Sequence, residues 1–258
     1  MPEGDTIHYA ARRIRPILEG HVPDEIRTPQ QRFARDRWPE RLAGRAITSV
    51  DARGKHLFLR FEGDLTLHSH LRMTGAWGTY ARGRRWRRHP RRAWLVITRG
   101  DHDVVEFDGP VLELMTDARA RQDARISGLG PDIIAPEFDE GLVLSRLRED
   151  DPTRPIGDAL LDQHTVAGIG NLWKCEACWE ARVDPWRRTS DVTDDEVLAL
   201  LHAVRPRMQE SALHGMRARQ KRVYGRAGSA CPRCRATIRV RGQGDGNRPT
   251  SWCPECQR

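Results

Sequence analysis

The sequence predicts an α+β multidomain protein. An N-terminal helix and an antiparallel β-sandwich come first, followed by a helical domain that ends in a small cysteine-closed β-hairpin. Three observations carry this. Apolar residues repeat with a helical period at the start of the chain. Between about residues 45 and 116 the period changes to two. After residue 136 the strand pattern stops and helical patterns follow, until four cysteines gather beyond residue 230. Periods of 3.6 and 2 report which side chains share a face, so the change of period marks the change of element.

In chain order, residues 3–19 predict a helix. Ile7, Ala10, Ala11, Ile14, Ile17 and Leu18 fall on one stripe, and Gly20 stands where a C-cap belongs. The runs ITSVDA, HLFLRF, LTLHSHL, AWLVITR, DVVEF and VLELM then predict short antiparallel strands separated by turn residues. Within them, residues 82–92 hold seven arginines and predict an exposed loop. The first domain is expected over residues 1–120. A linker is expected at 121–137, where a polar stretch ends in GLGPDIIAP. Helical patterns follow at 138–149, 153–162, 171–181 and 193–213, the last opened by a capping-box pattern of Thr193 and Glu196. These give a helical domain over 138–222 and a terminal module over 223–258.

Composition narrows the class. The chain has 258 residues, 38% hydrophobic and 31% charged, enough for a sizeable core. No apolar run approaches the roughly 18 residues of a membrane span, and the start MPEGDTIHYA has no apolar leader segment. A cytoplasmic protein without a membrane partner is expected. The net charge is +8, which fits either plain solubility or a polyanionic partner. Its distribution is uneven: residues 212–258 carry eleven Lys and Arg against Asp245 and Glu255. Lysine is scarce, with only Lys55, Lys174 and Lys221.

Cys231-x2-Cys234 and Cys253-x2-Cys256 have the spacing of a four-thiolate zinc site. Each knuckle places two thiolates on one side of a tight turn, and two knuckles complete a tetrahedron around one structural Zn²⁺. The segment between them reads as two short strands around a Gly-rich turn. With so few apolar residues, the module is expected to depend on metal to fold. Cys175 and Cys178 also form a C-x2-C, but with helical flanks and no second pair nearby they read as core thiols.

Pro2 follows the initiator Met. Removal of Met1 would leave a secondary α-amine that titrates near 7.7–8.0, roughly two units below lysine, so part of it is a nucleophile at neutral pH. Attack on an aldehyde carbon gives an iminium, whose fixed positive charge makes the neighbouring carbon acidic and favours elimination. Glu3 stands beside it as a candidate general acid/base. The turn GIGN at 168–171 precedes a predicted helix, so its backbone N–H groups are candidates to receive a phosphate.

Four separated features converge: Pro2-Glu3-Gly4, Gly54-Lys55 after a strand, GIGN, and the terminal four-cysteine hairpin with Arg248. Together, over almost the whole chain and in the right order, they resemble the formamidopyrimidine-DNA glycosylase/endonuclease VIII family of base-excision repair enzymes. The resemblance implies a helix–two-turn–helix domain before the zinc finger, and a DNA glycosylase with AP-lyase activity. It implies Pro2 as the nucleophile at C1′, Glu3 as the acid/base on the deoxyribose, and Lys55 as a catalytic lysine near phosphate. It implies His70, Asn171 and Arg248 as phosphate contacts and Met73 as the residue that fills the gap left by the flipped base. Gln163 and His164 frame the turn. Base loss followed by β- and then δ-elimination would nick the strand on both sides of the sugar. The implied partner is damaged DNA, duplex and also single-stranded, bound by a monomer in the bacterial nucleoid.

The family divides into enzymes for oxidised purines and for oxidised pyrimidines. The purine branch carries a long loop between its last helix and the zinc finger. Here the span from Gln209 to Cys231 is short, and PEGDT resembles actinobacterial endonuclease VIII-type proteins, so oxidised pyrimidines are the expected substrates. The purine enzymes also use an Arg and a Phe to stabilise the orphaned base. The corresponding LELMTDARARQDARI has arginines but no aromatic. The rivals are an oxidised-purine glycosylase, a non-catalytic zinc-finger DNA-binding paralogue and a zinc-ribbon RNA-binding protein.

Overall fold

The computed structural model describes residues 2–258, the side chain of Ala34 excepted. The chain divides into two units. One comprises Pro2 and Thr6–Ser127, the other Glu3–Asp5 and Gly128–Arg258. Among the described residues no helix is long and apolar enough to cross a membrane.

The first unit opens with α1 (Gly4–Leu18), whose apolar stripe is buried as its periodicity requires. Then come β1 (Glu25–Arg27), α2 (Trp38–Leu42), β2 (Ile47–Arg53), β3 (His56–Phe61), β4 (Leu65–His70), β5 (Ala76–Ala81), β6 (Ala93–Arg99), β7 (His102–Phe107) and β8 (Val111–Thr116). Two four-stranded antiparallel sheets result, ordered β1-β6-β7-β5 and β2-β3-β4-β8. Leu57, Leu59 and Leu67 from one sheet, Leu95, Ile97 and Val104 from the other, and Ile7, Ile14 and Leu18 of α1 share one core. Burying each such side chain stabilises the fold by about 1.5–3 kcal/mol. Residues 82–92 form the expected loop between β5 and β6.

Short helices α3 (Asp117–Gln122) and α4 (Ala124–Ser127) follow, where a polar stretch was expected. Thr116 caps α3 by accepting the Arg119 N–H. The second unit contains α5 (Glu140–Glu149), α6 (Ile156–Ala159), α7 (Asn171–Glu180), α8 (Asp194–His214) and the hairpin β9 (Arg239–Gln243) with β10 (Arg248–Trp252). The capping box of α8 is formed: Glu196 N–H donates to Thr193 Oγ1 at 3.2 Å, and Thr193 N–H to Glu196 Oε2 at 2.9 Å. α6 is shorter than the expected 153–162. Pro155 fixes its start, and from Leu160 the chain enters the two turns that lead to α7. Cys175 and Cys178 are fully buried in α7, as expected of core thiols, and burial pushes them up to about 11 and about 12.

Candidate active site and metal centre

Glu3 has no exposed surface. Its carboxylate accepts the backbone N–H groups of Gly170 (3.1 Å), Leu172 (2.8 Å) and Trp173 (3.3 Å) at the start of α7. Those donors have no partner within their own helix, and the helix dipole favours an anion there. Within the GIGN turn itself, the Gly170 N–H is taken by Glu3 and the Gly168 N–H by Gln163 Oε1, so those two groups are used inside the fold and not offered to a phosphate. Glycines make the approach possible. A Cβ at Gly170 would lie 2.3 Å from Glu3 Cδ, and one at Gly4 would lie 2.7 Å from Gly168 Cα. Gly4 N–H also donates to Gly168 O at 2.9 Å.

A second anchor went unread in the sequence. Asp5, fully buried, accepts Ser211 Oγ at 2.5 Å and a two-pronged contact from Arg219, both prongs at 2.7 Å. In sequence Asp5 looks like an ordinary acidic residue in a first helical turn, and Arg219 lies 214 positions away. Pro2, half-buried, directly precedes these two anchors.

The first nine residues of α7 are buried, charged ones included. Asn171, 1% exposed, donates through Nδ2 to Pro249 O at 2.9 Å. This brings it beside Arg248, which is exposed at the start of β10. Lys174 donates to Gln243 Oε1 (3.1 Å) and Thr250 Oγ1 (2.5 Å) of the same hairpin, and burial lowers its ammonium pKa. Glu176 accepts the N–H groups of Arg222, Val223 and Tyr224 and the Arg207 guanidinium at 3.0 Å. Gln163 frames the turn as expected, accepting Gly168 N–H and donating to Leu161 O and Ile169 O. His164 contacts Gly128 O through Nδ1 at 2.7 Å.

Cys231, Cys234, Cys253 and Cys256 place their sulfurs within 4.8 Å of one another. The Cys231–Cys256 and Cys234–Cys253 separations are 3.9 and 3.4 Å. A tetrahedron of thiolates about 2.3 Å from an ion has sulfurs roughly 3.8 Å apart, so the group can hold a metal ion.

In the first unit, Lys55 lies in the turn between β2 and β3, where Gly54 has φ 57°. The next residue, His56, pairs with His70 at the end of β4, so Lys55 and His70 share one end of the sheet. His56 Nδ1 is 2.8 Å from Nε2 of His68, and Glu113 stands 3.6 Å beyond at His68 Nδ1. Burial, then His70, His68, Arg125 and Lys55, hold His56 down to about 2. Burial, then Arg72 and Lys55, hold His70 down to about 4. Three residues past His70, Met73 is 64% exposed in a tight turn, while Leu71 beneath it is 2% exposed.

These histidines make stability depend on pH. An unfolded histidine takes a proton near 6.5, whereas folded His56 stays neutral down to about 2. The unfolded state therefore binds the extra proton, and below pH 6.5 each further unit costs about 1.4 kcal/mol of stability through His56. His56→Asn removes that share. Urea unfolding at pH 6.5 and 4.5 should show a smaller loss for the variant than for the wild type. Equal losses would contradict the assignment.

A model of the formamidopyrimidine-DNA glycosylase N-terminal domain matches residues 1–121, and a model of the formamidopyrimidine-DNA glycosylase H2TH domain matches residues 129–221. The chain is 40% identical to "Probable endonuclease 8 2" of Streptomyces coelicolor, over all of this chain and 94% of that protein. It is 35% identical to "DNA-(apurinic or apyrimidinic site) lyase Nei2" of Mycolicibacterium smegmatis, over all of this chain and 99% of the relative. Its fold matches Lactococcus lactis formamidopyrimidine-DNA glycosylase non-covalently bound to DNA containing an AP site. There the TM-score is 0.84 and the identity 26%, with 99% of each chain covered. With the N-terminal anchor, the H2TH turn and the cysteine hairpin in place, the chain belongs to the formamidopyrimidine-DNA glycosylase/endonuclease VIII family, on its endonuclease 8-like side.

Proposed function

We propose that the protein is a bifunctional DNA glycosylase/AP lyase of base-excision repair that removes oxidised pyrimidines. The observation that carries this is the immobilised start of the chain. Glu3, Gly4 and Asp5 are each held by buried hydrogen bonds, so an amine at Pro2 would be presented from a fixed base. Fixing a nucleophile in its attacking geometry is itself a large catalytic contribution.

In the proposed reaction Pro2 displaces the damaged base at C1′ and forms an iminium, with Glu3 moving the proton on the sugar. β- and then δ-elimination follow. Lys55 and His70 would contact backbone phosphates next to the lesion, the depressed pKa keeping His70 a neutral donor. Asn171 and Arg248 would do so from the second unit, and Met73 would enter the gap in the stack. Cys231, Cys234, Cys253 and Cys256 would hold one structural zinc. The domains proposed are a catalytic domain over 1–120, a linker over 121–137, the H2TH domain over 138–222 and the zinc finger over 223–258. The boundary between the two units, after Ser127, supports that linker.

The pyrimidine reading rests on the relatives named endonuclease 8 and on the short segment after α8. That segment is tied down by Arg219 on Asp5 and by the 222–224 amides on Glu176, which supports a reading without a base-covering loop.

Borohydride trapping tests the proposal. Zinc-loaded protein with Met1 removed should form a covalent adduct on DNA carrying one thymine glycol or one abasic site. Pro2→Gly should lower the yield at least tenfold. Absence of any adduct with the wild type would refute the catalytic reading.

A further inference from the structure

The arginine run at residues 82–92 is not among the site residues that the resemblance supplies. The loop is nonetheless anchored at several points. Trp86 packs against both Tyr80 and Phe107, with ring centroids 6.3 and 5.8 Å away. His89 caps the short helical turn that follows by accepting the Arg91 N–H at 3.2 Å. Gln30 donates to Arg91 O and Ala93 O, and Arg82 N–H donates to Asp101 O. The loop also grips the Met73 turn. Arg88 Nη1 donates to Thr74 O at 2.6 Å and to Asp108 Oδ2 at 2.9 Å. Arg92 meets the same carboxylate at 2.7 Å, and Thr74 Oγ1 donates to Asp108 O.

Arg88 and Arg92 are thus used inside the fold. Arg82, Arg84, Arg85, Arg87 and Arg91 are exposed, and among the described residues their guanidinium groups have no hydrogen-bond or ion-pair partner. We infer that these arginines form a second DNA-backbone surface, which grips duplex phosphates next to the base step entered by Met73. The inference deepens the proposed function and rests on it.

Three physical points support it. Like charges held together on an anchored loop repel one another, and a polyanion relieves that repulsion. Duplex DNA supplies a phosphate charge about every 1.7 Å of axis, and arginine's planar fork matches phosphate in two-point contacts. Distance fits as well. Through Arg88 and Thr74, chain geometry keeps the Arg87 backbone within about 20 Å of the Met73 backbone, well inside one roughly 34 Å duplex turn. A backbone into which Met73 inserts therefore passes the loop.

The test is the salt dependence of affinity for a duplex carrying a tetrahydrofuran abasic-site analogue, using the full-length zinc-loaded protein. Each phosphate contact contributes about 0.9 to the slope of log K against log salt. Arg84→Gln/Arg85→Gln/Arg87→Gln should reduce the slope by about 2.7, which makes the affinity lost between 50 and 200 mM salt about 40-fold smaller. The same three positions changed to Lys should restore most of the slope, because a point charge still displaces counterions. Thermal melts confirm folding, and the single Gln variants, at about 0.9 each, serve if the triple variant does not fold. An unchanged slope in the Gln variants overturns the inference and leaves an acidic protein surface as the loop's partner. The outcomes separate. Loss of the wild-type borohydride adduct counts against the catalytic reading, whereas an unchanged slope with the adduct intact counts against this surface alone.

Discussion

Glu3→Gln is expected to slow base excision by about 10²–10⁴-fold, the usual range for a positioned acid/base. The carboxylate offers its two oxygens to three converging N–H donors of α7. A carboxamide keeps the shape but replaces one oxygen with an NH₂ group that faces those donors. At least one buried N–H then loses its acceptor, at a cost of about 1–3 kcal/mol. The charge that complements the helix dipole disappears at the same time. Stability should therefore fall modestly while chemistry falls steeply. Single-turnover excision of thymine glycol under saturating protein measures the chemical step, and a melt measures the fold. On a pre-formed abasic site the base has already departed, so the loss should be smaller there. A variant that excises thymine glycol at the wild-type rate would remove Glu3 from the mechanism.

The second large effect is expected at the cysteines. Cys253→Ser should abolish binding of the proposed zinc and weaken binding to abasic-site DNA about 10–100-fold, the equivalent of losing a charged hydrogen bond of about 1.5–3 kcal/mol. The hairpin's own core is small: Val223, Ile238, Cys231 and Cys253, with Cys256 partly buried, packed on Cys175 and Trp179 of α7. Structural zinc supplies apparent free energies of about 10–16 kcal/mol in zinc-finger peptides, far more than this core can replace. Arg248 lies on the strand that leads to Cys253 and should lose its fixed position. The damage should also reach the helices, because Lys174 would lose Gln243 and Thr250 and remain an unpaired buried ammonium. Metal analysis, titration with DNA and a melt check the three consequences. A metal-free variant with wild-type affinity would show that the hairpin does not present Arg248 to DNA.

The legible parts of the fold are those written in local spacing. The stripe of α1, the alternating strands, the Thr193–Glu196 box and the paired knuckles each specify an element within a few residues. The strands that escaped, β1 and β5, are the two edges of one sheet. β1 buries only Ile26, and β5, AWGTYA, is half-buried without alternation and interrupted by Gly78. α6 was overestimated because a helical apolar pattern continues through the two turns before α7. Pro2, Glu3, Lys55, His70, Met73, Asn171 and Arg248 are candidates that the family's motifs supply. The residues that hold them were not named. Asp5 with Arg219, Glu176 with the 222–224 amides, and His56 with His68 are pairs whose meaning lies in a distant partner, and no local spacing records a partner.

The burial of Lys174 also bears on which substitutions the sequence can absorb. A solvated lysine head group can be exchanged for a guanidinium without stranding a donor, because water satisfies both. At Lys174 a compact ammonium meets two acceptors in a closed space with no exposed surface. A guanidinium would bring a wider plane and five donors, most of them without an acceptor. The position is therefore closed to that exchange, and the rare lysine marks a site where geometry has overruled the composition of the whole chain.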